Sequence, residues 1–190
     1  MDGNALQKQE AKVSCFFCMK ILKKGEENME PKQELKELFE NPVVGNYVNI
    51  VRMQMIKERS FEYRLPRFTT PQDVVDMTHT FFEGCDREMT AVISLNGNGT
   101  PIAFQIIGVG TVNACIMSAR DIFKHALLSN AINVIILHNH PSGIPTPSKE
   151  DVTVTKKIKE AGTMLGIELL DHIIIGNREN FTSLKEQGLC

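Results

Sequence analysis

Two histidines two residues apart, in His138-Asn139-His140-Pro141, and an aspartate eleven residues after the second, Asp151, are the side chains of this chain best suited to chemistry. Imidazole nitrogens and a carboxylate oxygen all bind a divalent ion such as Zn2+. Two nitrogens and one carboxylate fill three tetrahedral positions and leave the fourth for water, which separates a catalytic zinc site from a closed structural one. Ser148, just ahead of Asp151, adds a hydroxyl. Each piece alone has a plainer reading. Ser-x-x-Asp is also a helix capping box, and a single histidine at a strand end is more often a polar terminus than a ligand. It is the order of the pieces that narrows the choice.

The elements around them must do the positioning. Val134-Ile135-Ile136-Leu137 is short, apolar and branched, and reads as a buried strand. Alternation along it puts His138 and His140 on one face and Asn139 on the other. Pro141-Ser142-Gly143 breaks the strand, and Pro145 and Pro147 keep the following loop extended. Ser148 can cap a helix that carries Asp151 in its first turn. A strand end and a helix start thus aim two imidazoles and one carboxylate at one point.

The spacing His138-x-His140-Pro141, seven residues, Ser148, two residues, Asp151 resembles the JAMM (MPN+, JAB1-type) zinc metallopeptidase signature. The wider text is similar to the bacterial RadC-like JAB domain over residues 69–190. It includes Gly110-Thr111-Val112-Asn113, Ser118-Ala119-Arg120-Asp121-Ile122-Phe123 and Asp171-His172-Ile173-Ile174-Ile175-Gly176. The resemblance implies Zn2+ on His138, His140 and Asp151, and a catalytic glutamate in Asp86-Arg87-Glu88. Glu88 immediately precedes the strand-like run Met89–Leu95, so it projects from the strand's start. Its rival, Glu58 in Ile56-Lys57-Glu58-Arg59, has basic neighbours that suit a surface ion pair.

The chemistry implied is metal-assisted hydrolysis of an amide or isopeptide bond in a peptide or protein substrate. Zinc would lower the pKa of its water far enough to make hydroxide available near neutral pH. Glu88 would accept the water's proton and return it to the leaving amine. Ser148 would donate to the developing oxyanion, worth about 3 kcal/mol in good geometry. Asp171 and His172 are candidates for the outer shell that receives the ligands' second N–H. They can equally be a polar pair at the start of a last strand.

Composition sets outer bounds. The 190 residues are 42% hydrophobic and 23% charged, as in a globular protein. A net charge of −2 and a pI near 6.2 speak against a general grip on nucleic acid. The basic-leaning Arg52, Lys57, Arg59, Arg64 and Arg67 are diluted by Glu58 and Glu62. No run of membrane-spanning length appears, because Gly108, Gly110 and Asn113 cut the longest apolar region. The opening residues are polar, so a cytoplasmic location is expected. Five scattered cysteines suit a reducing compartment, and Cys15-x-x-Cys18 lacks the second pair a zinc ribbon requires.

Along the chain, residues 1–28 read as an extension outside the working protein. Lys24-Gly25-Glu26-Glu27-Asn28 is what a purine-rich ribosome-binding site would encode, with Met29 as an alternative start. Residues 29–68 form an N-terminal segment with a short helix from Glu34 to Asn41-Pro42 and an alternating strand over 47–56. A helix starts at Thr70-Pro71 and runs to about Phe82. A hairpin follows, 89–95 and 101–109 around Asn96-Gly97-Asn98-Gly99. Ser118 caps a helix to about Ser129. After the metal-bearing strand, the helix 149–165 buries Ile158, Ala161 and Leu165 and ends at Gly166. Strand 167–175 closes the sheet.

These elements give an α/β fold, a mixed sheet sandwiched by helices, consistent with the cytidine-deaminase-like JAB/MPN fold that the resemblance implies. Two alternative functions accompany the hydrolase: a DNA-processing factor of a mobile element or phage, and a metal-bound scaffold with little turnover. Residues 1–45 contain no Gly-x-Gly between two helices, so the DNA-contacting helix-hairpin-helix of fuller RadC-like proteins is not expected. A zinc deaminase is disfavoured, since no His-x-Glu is followed by Pro-Cys-x-x-Cys.

Overall fold

A strand buried on both faces must lie inside a sheet with cover above and below. β1 (Met89–Leu95) is such a strand, buried along its whole length. In this computed structural model the residues described are Val48, 51–58, 60–63, 66–111 and 117–190. Arg52–Cys190 form a compact unit. The expected extension 1–28, the alternative start at Met29, the helix from Glu34 and the Cys15–Cys18 pair lie outside the described residues.

The sheet has five strands in the order β2-β1-β3-β4-β5. β1 turns back at residues 96–99 into β2 (Pro101–Val109), its antiparallel neighbour. The Asn96 side chain stabilises this turn by accepting the backbone N–H groups of Asn98 and Thr100. β3 (Asn133–Asn139) runs antiparallel to β1, with Thr90 opposite His138. β4 (Glu168–Ile175) is parallel to β3 and places Ile174 beside His138. A parallel neighbour requires a crossover, and the longest described helix supplies it. β5 (Phe181–Ser183) is antiparallel to β4.

Helices cover both faces. α1 (Pro71–Thr78) packs Val74 and Val75 against Ala91, Ile93, Leu137 and Ile173. Its start is a full capping box between Thr70 and Asp73, with Pro71 in the first turn, and a 3-10 turn, His79–Phe81, continues it. On the other face α2 (Ala119–Leu128) and α3 (Lys149–Leu165) enclose Val92, Val134, Ile136 and Leu169 with Ile122, Phe123 and Ile158. α3 stops where Gly166 turns left-handed, φ 68°. The mixed sheet between helical layers is the α/β architecture expected.

Four local expectations need correction. The strand over 47–56 is not formed among its described residues, which have no regular structure. Val51 and Ile56 are 77% and 81% exposed. An alternating pattern says which face would be buried, but a strand also needs an edge that accepts its backbone. Ser118 starts α2 without a side-chain cap, because the Asp121 N–H bonds the Ser118 carbonyl instead. The buried stripe of α3 is Asp151, Thr155, Ile158 and Gly162. Leu165 lies half exposed in an apolar groove with Met53 and Leu127. Finally, β4 does not close the sheet. β5 lies outside it, from a run too short to show periodicity.

Candidate metal centre

His138 is the penultimate residue of β3, on the face covered by α3, and is almost completely buried. His140 follows just beyond the strand, where its N–H bonds the Ile175 carbonyl at 2.9 Å. Asp151 reaches the same point from the first turn of α3, and Glu88 from the residue before β1. Three chain segments, one of them 50 residues upstream of His138, therefore converge on one point. The ligating atoms of Glu88, His138 and His140 all lie within 4.8 Å of one another. The Asp151 carboxylate stands 3.3 Å from His138 Nδ1 and 3.7 Å from His140 Nε2.

The ring nitrogens are in an unusual state. Glu88 Oε2 lies 3.4 Å from His138 Nε2, yet neither nitrogen of this buried ring has a hydrogen-bond partner. Buried polar atoms are nearly always satisfied, and leaving one unpaired costs about 1–3 kcal/mol. A divalent cation would satisfy one of these nitrogens, and the carboxylate beside the other could accept its N–H. His140 is oriented for the same purpose. Its Nδ1–H donates to the Ile144 carbonyl at 2.8 Å, leaving the Nε2 lone pair for a ligand. The donor set fits a divalent metal ion.

Electrostatics agree with an anionic aspartate. Burial disfavours the Asp151 charge, but His138, His140 and Ser148 outweigh it and hold the carboxyl well below the ordinary range. Asp151 in turn raises the His140 pKa, against burial and with help from the Ile144 carbonyl and Glu88. The Ser148 hydroxyl donates to Asp151 Oδ2 at 2.7 Å and accepts the Asp151 N–H at 3.0 Å. Helix cap and metal-site residue are thus the same pair. The two readings of Ser-x-x-Asp are not alternatives here, since the cap aims the carboxylate.

Of the sequence-predicted residues, Glu88, His138, His140, Ser148 and Asp151 come together. His172 lies beside them, its ring stacked 6.1 Å from that of His138. The Thr155 hydroxyl donates to the Asp151 carbonyl and sits 2.6 Å from His172 Nδ1. With its hydrogen so used, the hydroxyl accepts from His172, whose Nε2 is left without a partner. Burial and the nearby His138 push the His172 pKa down to about 3, so the ring is neutral. Asp171 does not join the cluster. Adjacent strand residues face opposite ways, and its carboxylate accepts from Ser183 Oγ and the Lys185 N–H. Glu58 is exposed and lies outside the cluster.

Sequence reasoning missed the supports. Asn139 bonds the backbone of Met89 and Arg87. Asn180 Nδ2 donates to the Gly143 carbonyl at 2.7 Å, fixing the loop after His140. A Cβ on Gly176 would stand 2.4 Å from that same carbonyl, so only glycine lets the β4–β5 turn approach. A polar side chain in a buried strand was the signal for Asn139, since such a group must be bonded. Asn180 and Gly176 offered none, because their partner is 30 or more residues away in sequence.

Residues 68–189 match the RadC-like JAB domain family. Among curated proteins the chain is similar to a UPF0758 protein of Clostridium beijerinckii, 42% identical over 123 residues, or 65% of this chain and 53% of that protein. A UPF0758 protein of Shouchella clausii is 44% identical over 123 residues, with the same coverage of 65% and 53%. One of Desulforamulus reducens is 44% identical over 119 residues, 63% of this chain and 52% of that protein. The chain spans about half the length of the curated relatives it matches.

Proposed function

Starting from the fact that this chain belongs to the RadC-like JAB domain family, we propose that it is a zinc-dependent hydrolase of amide or isopeptide bonds in a peptide or protein substrate. The observation that carries this reading is the buried His138 ring, unpaired at both nitrogens between Glu88 and Asp151. Zinc bound there would supply a Lewis acid that acidifies a water molecule and polarises a carbonyl. His138, His140 and Asp151 would hold it. Glu88, beside His138 Nε2, takes a proton at its carboxylate and delivers it to the departing amine. Ser148 keeps Asp151 in place, and its hydroxyl would donate to a developing oxyanion once it turns from Asp151 Oδ2.

The test is metal content of the purified protein, by elemental analysis, with His138→Ala and Glu88→Gln alongside. About one zinc per chain is expected in the wild type and in Glu88→Gln, and none in His138→Ala. A folded wild type that holds no metal after zinc is added back would reject this function. Loss of metal in Glu88→Gln would make Glu88 a ligand and remove it as the base.

A further inference from the structure

Beyond Thr90 and His138 the ladder between β1 and β3 ends. Past that pair the Met89 N–H is not met by the β3 backbone but by a side chain. Asn139 takes over with its side chain. Its Oδ1 accepts the Met89 N–H at 2.6 Å, and its Nδ2 donates to the Arg87 carbonyl at 3.2 Å. These are the residues on either side of Glu88. From the opposite side Glu88 is paired through its own backbone: its N–H bonds the Thr111 carbonyl at 2.9 Å, and its carbonyl accepts the Gly110 N–H at 2.8 Å. Asn139 is buried, and a buried primary amide is stable only when bonded, so its two bonds hold firmly.

We infer that Asn139 is a positioning residue for Glu88. Its amide stands in for the missing ladder and fixes the peptide from which the Glu88 carboxylate reaches 3.4 Å from His138 Nε2. Asn139 acts only through Glu88 and meets neither metal nor substrate. The inference rests on the hydrolase reading, in which Glu88 acts at the metal position. An alanine at 139 removes both bonds. An aspartate keeps the shape and the acceptor for Met89, but sets a carboxylate oxygen against the Arg87 carbonyl.

The experiment replaces zinc by Co2+ and records the visible absorption of the loaded protein, which reports the surroundings of the ion without any substrate. Wild type, Glu88→Gln, Asn139→Ala, Asn139→Asp and the double variant Glu88→Gln/Asn139→Ala are compared. Glu88→Gln and Asn139→Ala should each retain cobalt and shift the bands in the same direction. Asn139→Asp should shift them less. Two residues acting as one unit are not additive, so Asn139→Ala should add nothing in the Glu88→Gln background.

A wild-type spectrum in Asn139→Ala, even with a lowered melting temperature, would overturn the inference and leave Asn139 a structural residue. So would a shift that adds in full to that of Glu88→Gln. If Asn139→Ala does not fold, Asn139→Asp decides by the same spectrum. A folded wild type that takes up no cobalt fails at the earlier step and overturns both the hydrolase reading and this inference.

Discussion

At the scale of single residues, the centre is built from groups whose local duty and site duty coincide. Ser148 illustrates it: the bonds that cap α3 also hold the Asp151 carboxylate. Ser148→Ala should therefore lower stability by about 1 kcal/mol in thermal or denaturant unfolding, the usual cost of a lost cap. A second prediction concerns acid. His125, bonded to Ser94 Oγ at 3.0 Å, and His172 are both buried, and burial lowers their pKa. The unfolded chain binds protons at these positions from about pH 6.5 downward, whereas the folded chain keeps them neutral, His172 until about pH 3. Their contribution is thus complete above about pH 6.5 and is lost as the pH falls below it. His140, raised by Asp151, and Asp171, raised by burial, work in the opposite direction, but the fall of His172 to about 3 is the largest of these shifts. The melting temperature of metal-free protein should fall between pH 7 and pH 5. A midpoint that is flat or rises on acidification would contradict this.

At the scale of elements, the histidine loop is held from outside. Between His140 and α3 the chain has three prolines and little structure of its own, so its position is set by the β4–β5 turn. Asn180 bonds Gly143, and Gly176 lies against the same carbonyl. Gly176→Ala would place a methyl group where 2.4 Å separates it from backbone, and the loop must move away. The expected result is a loss of about 1–3 kcal/mol, the ordinary range for overpacking. Zinc binding should weaken as well, because His140 moves with the loop. Unfolding and metal titration of the same variant check the two effects separately. A variant that loses stability but binds zinc normally would show that His140 is placed by the strand end alone.

At the scale of the whole unit, the sheet carries two apolar cores, one under α1 and one under α2 and α3. The candidate metal centre lies at the end of the second core, where β3 meets the start of α3. Ile136, fully buried two residues before His138 on the same face, belongs to that core. Ile136→Ala should cost about 2–5 kcal/mol by denaturant unfolding, the range for a large-to-small core change. No helix among the described residues is long and apolar enough to cross a membrane.

The sequence by itself determined the elements whose signals are local. The bounds of β1, β2 and α3 follow from apolar runs, from turn residues such as Asn96-Gly97-Asn98-Gly99, and from caps such as Ser148 and Gly166. The grouping of His138, His140 and Asp151 was legible too, because a strand end and a helix start joined by a short loop bring them together. Glu88, 50 residues upstream of His138, was reached through a family resemblance. Its place beside His138 depends on the antiparallel register of β1 with β3, which no local pattern encodes. The residues that hold the site in shape were decided by tertiary structure alone. Asn139 finds its partners across the sheet, Gly176 and Asn180 meet a loop more than 30 residues away, and Asp171 turns from the site because it sits on the face of β4 opposite to His172. Periodicity reports which side of an element is apolar. Only packing decides which polar groups meet on the side that remains.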